Sequence, residues 1–226
     1  MEAVLAPSND SRSPQAYDYA SAYRKWGRRY PRAGYGGTFV DWLKIDDAGP
    51  YNSWGNGSAM RCSPIGWAFQ DRAEVLKQAC QSASVTHNHP EGIKGAQATA
   101  LAVYLARTGS TKEDIRRDIE TTFNYDLSTH TVADIRPGYR FDVSCQGSVP
   151  QSILCFLEAE SVEDAARLAV SFGGDSDTMA CIACGIAEAF YGPLNGAIEM
   201  EVRRHLPPDM LEVVERFSNK FGHKDS

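Results

Sequence analysis

Gly173-Gly174-Asp175-Ser176-Asp177-Thr178 stands at the head of the run Met179-Ala180-Cys181-Ile182-Ala183-Cys184-Gly185-Ile186-Ala187-Glu188-Ala189-Phe190-Tyr191. The run carries a single charge and no strand-like alternation, so it reads as a helix buried on nearly every side. A buried helix needs other helices around it, and the rest of the chain supplies them. The six residues ahead of it set two carboxylates and a hydroxyl beside two glycines that permit unusual backbone shapes. Asp175 and Asp177 are hard oxygen donors of the kind Mg²⁺ and Mn²⁺ prefer, and Thr178 adds a third oxygen. Helix capping accounts for one acid or hydroxyl at such a position, since both suit the exposed N–H groups and the dipole. Two Asp, a Thr and a double Gly exceed what one cap requires.

Outward from this segment, apolar positions recur at helical spacing almost throughout, and the expected class is all-α. The spacing predicts helices over 14–29, 39–45 and 58–81, the last with a break near Pro64. Pro90 at a first helical position, followed by Glu91, opens a strong helix that Gly109 closes. Ser110-Thr111-Lys112-Glu113 reads as a capping box for a helix ending at Phe123. Residues 124–147 read as irregular. Further helices are expected over 150–160, from Pro150; over 161–170; over 195–205; and over 208–221. The total is about eight to ten helices, counted from periodicity. With 226 residues and no Pro- or Gly-rich linker, a single domain over 1–226 is expected.

The net charge is −6, with 23 Lys and Arg against 29 Asp and Glu, which argues against general nucleic-acid or anionic-membrane binding. The densest basic cluster, Arg24-Lys25-Trp26-Gly27-Arg28-Arg29, reads as a solvated face. No apolar run is long enough to span a membrane, and the first residues are too polar for a secretory signal. Of the six cysteines, several sit at apolar helical positions, which fits the reduced, packed thiols of a cytoplasmic protein. Cys181 and Cys184 form a C-x-x-C, but no second pair or spaced histidine completes a zinc set, so they read as small core residues.

Three more stretches exceed what a fold requires. Gly55-Asn56-Gly57-Ser58-Ala59-Met60-Arg61 puts a glycine-rich turn ahead of a helix, where backbone N–H groups can hold a pyrophosphate and Asn56 and Ser58 add donors. An ordinary turn with an N-cap explains the same letters. Thr86-His87-Asn88-His89-Pro90 suits hydrogen bonding to a polar ligand at a helix mouth, or local capping. It also spells part of an HNH nuclease, but no hairpin signal accompanies it. The loop from Arg136 to Ser148 is long, polar and aromatic. Its rings either stack on a base or pack the loop onto the domain.

Taken in order, these segments resemble the ADP-ribosylglycohydrolase family, that of the glycohydrolase that releases ADP-ribose from dinitrogenase reductase. The likeness runs through Arg32-Ala33-Gly34-Tyr35-Gly36, the turn at 55–61, the stretch at 86–91, the loop at 139–150 and the string at 173–178, spanning about 15–195. The resemblance implies an all-α fold with a central cleft and a site for two Mg²⁺ (or Mn²⁺) ions. It maps metal ligands onto Asp175, Asp177 and Thr178, with a carboxylate of this pair as catalytic base. It lays Asn56, Gly57, Ser58 and Met60 along ADP-ribose and brings His87 to the same ligand. The implied reaction cleaves the glycosidic bond at the ribose anomeric carbon and frees an ADP-ribosylated protein side chain or small molecule. Family members open with a Gly-Asp-x-x-Gly segment and a Thr-Asp-Asp-Thr string, which supply the other half of the metal ligands. Neither string occurs here, and residues 1–6 resemble the tail of the helix that follows it. The resemblance therefore implies a chain lacking the N-terminal metal-binding segment. The alternative function is a catalytically impaired ADP-ribose or nucleotide binder.

Overall fold

The structure is a computed structural model that describes residues 1–5 and 17–222. Among these residues thirteen α-helices follow one another: α1 (Glu2–Leu5), α2 (Tyr19–Arg29), α3 (Gly37–Lys44), α4 (Ser63–Ala68), α5 (Arg72–Ser84), α6 (Pro90–Arg107), α7 (Lys112–Phe123), α8 (Val132–Ile135), α9 (Cys145–Glu158), α10 (Val162–Ser171), α11 (Ser176–Tyr191), α12 (Gly196–His205) and α13 (Pro208–Phe221). Among the described residues no strand forms, and the β-type pairing is an isolated antiparallel bridge between Gly55 and Ser144. The all-α class is as the periodicity implies. No helix among the described residues is long and apolar enough to cross a membrane.

Several boundaries differ from the sequence expectation, each for a local reason. The first long helix starts at Tyr19, because the Asp18 carboxylate accepts from the Ser21 N–H at 2.9 Å and caps it there; positions 14–16 lie outside the described residues. The stretch 58–81 is interrupted just ahead of Pro64, where residues 59–62 lie in no helix, and Pro64 itself sits in the first turn of α4. It breaks a second time at extended Phe69, and the Asp71 side chain then caps α5. The cap of α7 falls one residue later than expected, on Thr111, whose hydroxyl donates to Asp114 Oδ2 and accepts the Asp114 N–H. Residues 124–147 are not wholly irregular, since Thr131 and Asp134 form a complete capping box over α8. Pro150 lies inside α9 rather than opening it. Ser144 caps that helix at the Gly147 N–H, and burial of Cys145, Ser148 and Val149 outweighs the single backbone bond a proline removes. The short helices and the split at 69–71 raise the count above the eight to ten expected.

The core sits around α6, which is apolar on all sides and buries ten of its residues. Ala96, Ala98, Ala100 and Ala102 are fully buried there, and such small side chains let α4, α5, α9 and α11 approach closely. A Cβ added at Gly66 would stand 2.6 Å from the Ala100 carbonyl oxygen, so α4 packs backbone to backbone on α6. One apolar cluster joins α6 with α7, α9, α10 and α11 around Leu101, Ile119, Ile153, Phe156 and Ile182. A second joins α1, α2, α4, α5 and α13 around Val4, Tyr19, Ile65, Val75 and Phe217. Removing a large side chain such as Phe156 from this packing costs about 3–5 kcal/mol. The basic cluster of α2 is more than a solvated face. Arg24 stacks over the Trp42 ring at 4.0 Å and donates to the Ala48 carbonyl, Arg28 donates to the Leu43 carbonyl, and Arg29 pairs with Asp209.

Candidate active site

Backbone pairing assembles the site first. The Asn56 N–H donates to the Val143 carbonyl at 2.8 Å, and the Cys145 N–H donates to the Trp54 carbonyl at 2.9 Å. The glycine turn and the end of the 136–148 loop are thereby stitched together. Ser58, fully buried, donates its hydroxyl to the Gly92 carbonyl at 2.7 Å and so fastens the same turn to the head of α6. Its role here is to brace the turn from within.

Asn56 then reaches across the domain. Its Nδ2 donates to Asp175 Oδ2 at 2.7 Å and to Ser148 Oγ at 3.1 Å. Asp175 occupies the N-cap position of α11, yet its side chain makes no capping bond. The carboxylate faces Asn56 instead, which capping does not explain. Asp177 is exposed, and its Oδ1 accepts the Thr178 N–H at 2.9 Å. Burial, assisted by the facing Asp177 carboxyl, pushes Asp175 above the ordinary carboxylate range, against the pull of Asn56 and the Thr178 hydroxyl. Thr178 is buried and directs Oγ1 toward Met60 Sδ at 3.8 Å; the Met60 side chain is partly exposed beside it. One turn on, Cys181 Sγ donates to the Met60 carbonyl, and it is exposed rather than a core residue. The sequence expectation for Cys181 is corrected accordingly: it lies on the rim of α11 facing the glycine turn.

His87 closes the other flank. Its Nε2 lies 3.6 Å and 3.4 Å from where Cβ atoms at Gly55 and Gly57 would stand, so these two glycines leave room beside the imidazole. On the opposite edge of the ring, Nδ1 is 2.7 Å from Thr86 Oγ1, and Arg61 Nη2 donates to that same oxygen at 2.8 Å. Thr86 is completely buried and His87 nearly so. Burial first, and the Arg61 charge second, hold the imidazole down to about 3. It is a neutral group at physiological pH. The neighbouring His89 caps α6 through the Glu91 N–H and does not join it.

The aromatic loop divides between the two readings the sequence left open. Tyr139 packs: its ring touches the face of Gly174, where a Cβ would come within 2.4 Å, lies 4.9 Å from the Phe172 ring, and its hydroxyl donates to the Gly147 carbonyl. Phe141 and Trp54 stay open to solvent at the rim, 69 % and 48 % exposed. Asp142 accepts the Ser144 N–H at 2.7 Å, and its carboxylate fills the space a side chain at Gly147 would need.

As a donor set, Asp175, Asp177 and Thr178 fit a hard divalent cation in kind, and a cation there would offset the burial and the neighbouring Asp177 carboxyl that together disfavour an ionised Asp175. Among the described residues no group of three or more His, Cys, Asp or Glu gathers to hold a metal. A cavity of about 290 Å³ between α1, α2, α4 and α13 is a separate feature: of the motif residues only Arg61 lines it. Sequence reasoning did not assign roles to Ser148, Tyr139, Thr86 or Arg61. All four lie within the quoted stretches, but their partners are distant in sequence or visible only as side-chain geometry.

A sequence profile of the ADP-ribosylglycohydrolase family matches residues 1–226. ADP-ribosylhydrolase ARH3 of Danio rerio is 28 % identical, over 81 % of this chain and 67 % of its own length. The same-named human protein is 28 % identical, over 62 % of this chain and 51 % of its own, so the chain spans about half the length of that relative. A solved structure titled an ADP-ribosylglycohydrolase-related protein complex superposes with a TM-score of 0.64 at 21 % identity, covering 90 % of this chain and 73 % of that one, a likeness of fold. With the profile matched from end to end and the motif stretches gathered around one carboxylate pair, the chain belongs to the ADP-ribosylglycohydrolase family.

Proposed function

We propose that the chain is a divalent-cation-dependent hydrolase that removes ADP-ribose from a modified protein side chain or small molecule in the cytoplasm, by cleaving the glycosidic bond at the ribose anomeric carbon. The observation that carries this reading is the 2.7 Å bond from Asn56 to Asp175, because it makes the phosphate-type turn and the carboxylate string one site. Asp175, Asp177 and Thr178 would hold the ion, Mg²⁺ or Mn²⁺. When bound, the ion supplies positive charge against ribose hydroxyls and eases ionisation of a water.

The chain's own residues do the rest. Asn56 fixes the carboxylate of Asp175, and a carboxylate of the Asp175–Asp177 pair takes the proton of the attacking water. Asp177, exposed beside it, stays available to the ion and to the ribose hydroxyls. The Gly55-Asn56-Gly57 turn borders the diphosphate; with the Asn56 N–H given to Val143 and the Gly55 N–H to Ser53, the Gly57 N–H is the one left to face it, and Ser58 keeps that turn rigid. His87 donates from Nε2 to a ligand oxygen over the turn. Met60 borders the ribose beside Thr178. Phe141 offers an exposed ring to the adenine.

The test is release of ADP-ribose from an ADP-ribosylated peptide with Mg²⁺ present. Turnover is expected, lost with EDTA and lowered about 10²-fold or more in Asp175→Asn. Turnover indifferent to Asp175→Asn contradicts the reading. A second reading, a binder of ADP-ribose without turnover, draws on the presence of only two carboxylates in the donor set. Micromolar binding with no hydrolysis of any linkage would select it.

A further inference from the structure

We infer that Arg61 and Thr86 are positioning residues that lock His87 in its Nε2–H tautomer, so that the imidazole presents a hydrogen-bond donor over the Gly55-Asn56-Gly57 turn. The inference rests on the ADP-ribose reading only for the identity of the ligand that meets this donor. The tautomer follows from the side chains themselves.

A guanidinium has donors only, so Arg61 Nη2 takes one lone pair of Thr86 Oγ1 at 2.8 Å. The Thr86 hydroxyl hydrogen, in a residue with no exposed surface, then needs an acceptor. His87 Nδ1, at 2.7 Å, is that acceptor if it carries no hydrogen of its own. The Tyr51 hydroxyl also stands beside Thr86, with its ring 5.7 Å from the imidazole. A phenol oxygen accepts more weakly than an imidazole nitrogen, so Tyr51 loses that competition. With Nδ1 engaged as acceptor, the imidazole proton resides on Nε2, on the edge that faces Gly55 and Gly57. Turning the ring over would carry Nδ1 away from Thr86 Oγ1 and leave that buried hydroxyl without its acceptor. Arg61 is itself held, its guanidinium lying 4.1 Å over the Tyr23 ring. The charged and titratable groups facing the imidazole are thus Arg61 and Tyr51. Neither stabilises an imidazolium, and a buried donor that stays neutral suits an anionic or hydroxylic ligand oxygen without inviting a counter-ion.

The experiment is a long-range ¹H–¹⁵N correlation of the whole chain labelled at histidine, from about pH 5 to 8, with His87→Gln to assign the signal among the five histidines. ADP-ribose affinity is measured in parallel by calorimetry. His87 is expected to show the Nε2–H pattern with no titration. Thr86→Val is expected to shift it toward Nδ1–H and to weaken ADP-ribose roughly tenfold, the loss of one buried hydrogen bond. Thr86→Ser is expected to restore both readouts, which a merely structural role for the hydroxyl would not tie together. A wild-type Nδ1–H pattern, or a Thr86→Val spectrum identical to wild type, overturns the inference. If Thr86→Val does not fold, Arg61→Met is read in the same way, and the wild-type spectrum alone still decides the tautomer. Failure of ADP-ribose to bind any form, with the tautomer as expected, sinks the ligand reading and leaves the positioning role standing.

Discussion

Burial first, and the facing Asp177 carboxyl after it, disfavour the ionised form of Asp175. Neutralising it therefore removes an unfavourable term from the ligand-free fold. Asp175→Asn, which keeps an oxygen to accept from Asn56, is predicted to raise the melting temperature of the ligand-free chain while abolishing any Mg²⁺-dependent gain with ADP-ribose. A melting temperature that drops in calorimetry would argue against a carboxylate pair held close for a cation. His87 gives the complementary pH signature. Its folded value is lowered from 6.5 to about 3, so below 6.5 the unfolded chain takes up a proton that the folded chain refuses. Stability contributed by the neutral imidazole is whole above about pH 7 and falls as pH drops through 6.5 toward 3, by about 1.4 kcal/mol per unit from this group alone. Urea unfolding of wild type and His87→Gln at a series of pH values should give a shallower acid limb for the variant; parallel limbs would mean His87 is not buried neutral. Part of this was legible in the letters. Two Asp, a Thr and two Gly at a helix mouth exceed a cap, and the structure bears that out for Asp175, whose side chain caps nothing. The Arg61–Thr86–His87 chain was not legible, because adjacency of Thr86 and His87 in sequence says nothing of which ring nitrogen faces which neighbour.

The helices that carry these groups were the readable layer, and their ends were less so. Where periodicity agrees with a start signal, a side-chain cap for α6 and α12 and a first-turn proline for α13, the expected and observed spans nearly coincide. Where a proline was taken as a start signal, in α9, the side-chain cap at Ser144 and the burial of the first turn decided otherwise. The close contact of α4 on α6 is a property of glycine and alanine positions rather than of apolar period. Gly66→Ala would drive a methyl against the Ala100 carbonyl and Val103, neither of which is a flexible side-chain tip. It is predicted to destabilise the chain by about 1–3 kcal/mol, as overpacking does, read as a lower urea midpoint. A loss below a few tenths of a kcal/mol would show that the two helices can separate. Gly174→Ala makes a different prediction. Its methyl would meet the Tyr139 ring, so the aromatic loop must lift from the 173–178 turn. Weaker ADP-ribose binding with a nearly unchanged melting temperature is the expected outcome by calorimetry, and unchanged affinity would detach that loop from the site.

Across the molecule, five stretches lying between residues 32 and 178 suggest one site only if the fold brings them together. For four of them it does so through named bonds, Arg61 donating to Thr86 as one of the links. Asn56 joins Ser148 and Asp175, the 54–56 segment pairs with 143–145, and His87 lies against the glycines of the same turn. The stretch at 32–36 forms no bond to this group among those named, and its part in the family resemblance lies outside the site as drawn here. The central claim is that the turn and the carboxylate string act as one cation-assisted ADP-ribose site. Its most direct test is thermal unfolding of the whole chain with ADP-ribose, with and without Mg²⁺, for wild type and Asp175→Asn. A ligand that binds only the folded form at a hundredfold excess over Kd adds about 2.7 kcal/mol. A gain of that order that needs Mg²⁺ and vanishes in Asp175→Asn is the predicted result. The same gain in both proteins, with or without the ion, would contradict it.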